Sequence, residues 1–102
     1  MEKLKNLEWK YNENIILKDI ENYIISTYNS HYSSHSNNIQ LIDFIESKGL
    51  VKSFCQSNIL KYSSRYGDKD GYNKTDLLKV IHYAILLLHY NHYHDIVNNN
   101  PT

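Results

Sequence analysis

The sequence predicts an all-α protein, a small bundle of about four helices that assembles as an oligomer. Three observations carry this. Apolar side chains recur at spacings of three and four in separate segments, the pattern of helices that each bury one stripe. Residues that start and stop helices, Asn at the front and Gly49 and Gly67 at the back, fall between those segments. In the last segment Leu77, Leu78, Val80, Ile81, Ala84, Ile85, Leu86, Leu87 and Leu88 cover almost the whole circumference. One face of that helix must meet the other helices and another a second subunit.

In chain order, Ile16, Ile20, Tyr23, Ile24 and Thr27 define a first helix over Ile15 to Tyr28, with Asn12 or Asn14 as its cap. The segment Asn29 to Asn38 is Ser- and Asn-rich and reads as a loop. A short second helix runs from Ile39 to Lys48, capped by Asn38, packed through Leu41, Ile42 and Ile45, and stopped by Gly49. A third spans about Leu50 to Tyr66 and ends at Gly67. After the turn Gly67 to Gly71, Asn73 or Thr75 caps a long fourth helix beginning near Asp76 and continuing toward Tyr90 and Tyr93, which cover the bundle end or a subunit contact. The head, Met1 to Glu13, holds Trp9 and is a helical turn or a strand laid across the bundle.

Composition excludes whole classes of function. Lys and Arg number 11 and Asp and Glu 11 in 102 residues, so there is no general attraction for duplex nucleic acid or an anionic membrane. Any anion site must be local. The longest apolar run, Ala84 to Leu88, is far short of the roughly 20 residues of a membrane span. No signal-peptide pattern opens the sequence, and the single cysteine, Cys55, excludes an internal disulfide framework and fits a reducing compartment. The expectation is a soluble cytosolic protein.

The third helix carries the most informative pattern. Val51, Phe54 and Cys55 share one face, and the same face continues through Asn58, Lys61, Tyr62 and Arg65. An apolar stripe turns polar halfway along. Lys and Arg donate to phosphate, an Asn amide bonds a base edge or a ribose hydroxyl, and Tyr offers a ring for stacking. Together they are the groups a small nucleotide site needs. The competing reading has Lys61 and Arg65 snorkelling to solvent or pairing with Asp43, Glu46 or Asp76. Cys55 on this stripe is a core residue.

The stretches His31-Tyr32, Leu41 to Ser47 (LIDFIES), Phe54 to Gly71 (FCQSNILKYSSRYGDKDG) and Asp76 to Leu88 (DLLKVIHYAILLL) together resemble the small phage domain family called SaV-like. That domain is itself similar to the C-terminal part of a podophage nucleotide kinase that acts on deoxynucleoside monophosphates without a Walker loop. The resemblance implies a ligand site made of His31, Tyr32, Asn58, Lys61, Tyr62, Arg65, Asp76, Lys79 and Tyr83. It divides the chain into an N-terminal helical extension (1–30), the SaV-like helical domain (31–95) and a disordered tail (96–102), and implies the host cytoplasm as the place of action. Ser57, Val80 and His82 depart from the family pattern, where Gly, Ala and Trp are usual.

Phosphoryl transfer calls for a Gly-rich loop, a Lys and carboxylates for Mg²⁺, and the P-loop motif G-x-x-x-x-G-K-[ST] is absent from the sequence. Binding needs only phosphate donors, a ring and an amide. The favoured function is therefore a nucleotide-binding protein that sequesters a defence signal, cyclic or derived from ADP-ribose, without turnover and without a cofactor. A deoxynucleoside monophosphate kinase using Mg²⁺ is the alternative. A structural zinc site drawn from His31, His35, His89, His92 and His94, or a protein-interaction module, ranks below both, because the loop around His35 is not helical in composition and only Asp95 stands near the later histidines. The partners expected are a small nucleotide and further copies of the chain, with neither nucleic acid nor membrane.

Overall fold

A computed structural model of the chain describes residues 8–28, 37–68 and 71–93, with backbone alone at 37–40. Four α-helices follow one another, α1 (Glu13–Thr27), α2 (Asn37–Ser47), α3 (Val51–Arg65) and α4 (Lys74–Leu88), and a π-helical turn over His89–Tyr93 prolongs the last. Every regular element among the described residues is helical, so the predicted fold class is the one adopted. None of these helices is long and apolar enough to cross a membrane. Residues 1–7, 29–36 and 94–102 lie outside the described residues, and with them His31, Tyr32 and His35; Asn37 and Asn38, expected as the end of a loop and a cap, are the first residues of α2. Residues 8–12 form turn and irregular chain rather than a strand.

The helix ends show which local signals acted. Asn12 precedes α1 but sits in the left-handed region (φ 60°, ψ 27°) and its side chain makes no capping bond. A capping side chain reaches the first free N–H groups only from extended backbone, so the expected Asn cap is not used. Glu13 Oε1 instead accepts from the Tyr11 N–H at 3.0 Å. α2 stops as its glycine demands: Gly49 has φ 70°, its N–H donates to Glu46 O at 2.9 Å, and the Leu50 N–H donates to Ile45 O at 3.0 Å. This pair of bonds closes the helix in a Schellman motif. Asn73 does cap α4, its backbone extended and its side-chain oxygen accepting from the Thr75 N–H at 2.9 Å.

α3 and α4 form an antiparallel hairpin, with Arg65 beside Asp76 near the turn and Phe54 and Tyr62 both against Tyr83 further along. The turn itself is tight. Gly67 has φ 90°, and a Cβ there would come within 3.0 Å of the Tyr72 ring, which also meets Tyr66 edge-on at 5.4 Å between centroids. α1 runs parallel to α4: Lys74 Nζ pairs with Asp19 Oδ2 at 3.0 Å, and the Tyr23 and His82 rings meet edge-on at 6.0 Å. α2 packs on α3, and its Asp43 accepts a hydrogen bond from the Tyr90 hydroxyl at 3.2 Å in the π-helical turn. Tyr90 thus joins the end of α4 to α2 from a π-helical rather than an α-helical turn, while Tyr93 is exposed.

The interior is small. Among the described residues Val51 and Cys55 are the only buried apolar side chains, and burial pushes the Cys55 thiol above its ordinary pKa, as suits an inert core cysteine. Leu41, expected inside with Ile42 and Ile45, is exposed, while Ile42 and Ile45 are half-buried, so the inner face of α2 is narrower than its apolar spacing. Ile16 is likewise exposed. Leu60 is 69% exposed and, with Gln56, Ile59 and Leu87, lines an outer groove of about 460 Å³ on the α3–α4 hairpin.

His82 shows how α1 is held. Burial lowers its pKa below the usual 6.5, so the folded protein keeps the ring neutral while an unfolded chain takes up a proton near the ordinary value. The stability this contributes is present above that value and is lost as pH falls through it. The urea midpoint should therefore drop between about pH 8 and about pH 5.5, and His82→Phe, which keeps a ring against Tyr23, should drop less over the same range. Equal drops in the two proteins would show that His82 is not the group responsible.

Candidate functional site

A single ring organises the polar half of the α3 stripe. Tyr62, half-buried, lies nearly parallel to Tyr83 of α4, with centroids 6.3 Å apart and planes 8° from coplanar. Tyr83 is in turn met edge-on by Phe54 at 5.8 Å. Around Tyr62 stand three cations: Lys79 Nζ at 4.9 Å, Lys61 Nζ at 5.0 Å and the Arg65 guanidinium carbon at 5.5 Å from the ring centroid. Tyr62 and Arg65 are three residues apart on one helix. Lys79 arrives from α4, because antiparallel packing sets the first turns of α4 against the last turns of α3.

Three like charges within about a Debye length of one another repel. Two features offset this. The ring face attracts each cation, by about 0.5–1 kcal/mol at exposed positions. The second is Asp76 in the first turn of α4, where the helix dipole favours a carboxylate. Its Oδ1 stands 3.5 Å from Arg65 Nε, and the side chain is only 5% exposed. Asp76 Oδ2 is buried and accepts no hydrogen bond among the described residues. The cluster still carries three cations against one carboxylate in a chain with no net charge, a local excess that suits an anion such as a phosphate group.

Of the residues the sequence reading singled out, Lys61, Tyr62, Arg65, Asp76, Lys79 and Tyr83 come together here. Asn58 lies on the same face, half-buried, and its amide donates to the Phe54 carbonyl at 2.9 Å; one of its donors is spent on its own helix. His31 and Tyr32 lie outside the described residues. Lys61 is exposed and Arg65 pairs with Asp76, and both converge with Lys79 on one ring. Asp43 and Glu46, the other carboxylates considered for Lys61 and Arg65, are both exposed, and Asp43 accepts from Tyr90 instead. Among the described residues no three His, Cys, Asp or Glu side chains gather as a metal site.

The sequence reading missed a second feature. A cavity of about 390 Å³ opens between α1, α2 and the C-terminal half of α4, walled by Ile24, Ile42 and Leu86 and carrying Asp43, His82 and Tyr90. Burial first, and the nearby Asp43 charge second, push the Tyr90 hydroxyl up to about 12. A signal existed in Asp43 and Tyr90, but 47 residues separate them, and no helical spacing links one to the other.

A small helical domain with a cation-ringed tyrosine pair is thus the class of protein defined by fold and site. A family model described as a protein of unknown function (DUF3310) matches residues 26–85, and the chain belongs to that family. The matched span runs from the end of α1 into α4 and contains the whole cation cluster. Among curated proteins and among solved structures nothing matches.

Arg65 has a structural task that Lys61 lacks. Arg65→Met would leave the buried Asp76 carboxylate facing an apolar side chain, at a cost on the order of 3 kcal/mol, whereas Lys61→Ala on an exposed position should stay within about 0.5 kcal/mol. Urea unfolding of the two variants measures the difference, and equal stabilities would remove the Arg65–Asp76 pair from the account.

Proposed function

We propose that the protein binds a nucleotide, with the phosphate held by Lys61, Lys79 and Arg65 beside the Tyr62–Tyr83 pair, and retains it without turnover. The convergence of three cations from two helices on one stacked tyrosine carries this reading. The resemblance of the motifs His31-Tyr32, Asn58 to Arg65 and Asp76 to Tyr83 to the SaV-like phage domain supports it and gives the ligand a context, a nucleotide signal sequestered from a host defence system. The same reading takes the working unit to be a homo-oligomer, since the outer groove beside Leu60 and Leu87 leaves apolar surface uncovered.

A deoxynucleoside monophosphate kinase is the second reading, favoured by the position of Asp76 next to the cations. As built, that carboxylate is buried and faces Arg65, which places a cation rather than offering two oxygens to Mg²⁺. Retention is therefore preferred to transfer.

The test is to incubate the purified full chain with a mixture of nucleotides, wash, denature and identify released small molecules by mass spectrometry. An intact nucleotide should be recovered, and the Lys61→Ala/Lys79→Ala double variant should retain at least about tenfold less, roughly the loss of 1.4 kcal/mol of binding, with an unchanged unfolding midpoint. Recovery of a nucleotide carrying an additional phosphate would favour the kinase, and undiminished retention by the double variant would remove the cation cluster from the site. Sedimentation of the same sample should give a mass above the 12.1 kDa of one chain; a monomer would end the oligomer part of the reading.

A further inference from the structure

The cavity between α1, α2 and α4 has a chemistry opposite to that of the cation cluster. Its volume, about 390 Å³, falls in the range of roughly 300–1,000 Å³ that small-molecule sites occupy. Ile24, Ile42 and Leu86 make its walls apolar, and among the described residues neither Lys nor Arg lines it. It is unsuited to a phosphate. The carboxylate of Asp43 is the one acid in the lining among the described residues, and the Tyr90 hydroxyl occupies one of its acceptor positions through Oδ1 at 3.2 Å. An ionised carboxylate offers about four such positions. What this cavity complements is a flat, largely apolar ring that presents N–H donors at one edge.

Its place relative to the cations adds a second constraint. Lys79, His82 and Leu86 stand at i, i+3 and i+7 on α4 and so share one stripe of that helix. Lys79 begins the stripe beside Tyr62, and His82 and Leu86 continue it into the cavity wall. From Lys79 to Leu86 the axis advances about 10 Å. That is the scale of one mononucleotide, from phosphate to base.

We infer that the cavity is a subsite for a nitrogen heterocycle, with Asp43 accepting hydrogen bonds from N–H groups on the ring's edge. The choice of a nucleobase rests on the nucleotide reading above; the character of the cavity does not. Among the bases guanine fits best, because N1–H and the 2-amino group stand side by side and both can donate to one carboxylate. Adenine offers its 6-amino group next to a ring acceptor, and uracil offers one N–H between two carbonyls that a carboxylate repels. The subsite thereby narrows the ligand from any nucleotide to a guanine-bearing one.

Calorimetric titration of the full chain with guanosine, GMP, AMP, UMP and pyrophosphate tests this against Asp43→Asn, a near-isosteric change at an exposed residue whose oxygen still accepts from Tyr90. GMP should bind at least tenfold more tightly than AMP or UMP, guanosine should bind without any phosphate, and Asp43→Asn should remove the preference while leaving pyrophosphate affinity unchanged. A second variant, Leu86→Trp, fills the cavity and should abolish guanosine binding with the same indifference to pyrophosphate. Equal affinities for GMP, AMP and UMP, or a guanine preference that survives Asp43→Asn, would overturn the inference. The two proposals fail separately: absent pyrophosphate binding with Asp43-dependent guanosine binding sinks the phosphate site and keeps the cavity, and base-indifferent nucleotide binding does the reverse.

Discussion

Burial of the Asp76 carboxylate at the start of α4 constrains everything around it. Burying a carboxylate to 5% exposure is costly unless it is paired, and the antiparallel hairpin offers Arg65 from the last turn of α3. Once Arg65 is committed there, its guanidinium lies against Tyr62, and the turn-by-turn register of the hairpin brings Lys79 to the same ring. One of the three cations is therefore placed by the buried acid. The helix dipole helps in the same sense, since Asp76 occupies the first turn, where negative charge is favoured.

The arrangement divides the molecule by charge. The turn end of the α3–α4 hairpin concentrates positive side chains around stacked aromatic rings, while the far end of α4 meets α2 through a carboxylate, Asp43, and a tyrosine hydroxyl, Tyr90. A neutral composition conceals this. The cations gather near the turn, and a carboxylate and a phenol hydroxyl meet beside apolar side chains further along the same helix.

So small a buried interior also bears on function. With Val51 and Cys55 the only buried apolar side chains among the described residues, the helices are joined by a few edge-on ring contacts and polar links, such as Tyr23 with His82 and Lys74 with Asp19. Domains of this length bury roughly 60–65% of their unfolded surface at best. Anything that bound only the folded chain would add to this small reserve of stability.

Helix number, type and order were legible in the sequence because each depends on neighbours three or four residues away: the stripes of α1 to α4, the glycine that stops α2 and the Asn73 cap. The polar continuation Asn58, Lys61, Tyr62, Arg65 was legible for the same reason, and Lys79, Asp76 and Tyr83 were reached through the motif resemblance. Which apolar positions are inside was not, since Leu41 and Ile16 obey the helical spacing and yet face no neighbour. The Asn12 cap failed on its backbone angle, which chain geometry before α1 sets. Tyr62 as the centre of three cations, and Asp43 joined to Tyr90 across a cavity, were decided only by packing. Such contacts depend on the relative placement of whole helices, and one-dimensional spacing within a helix carries no information about that placement.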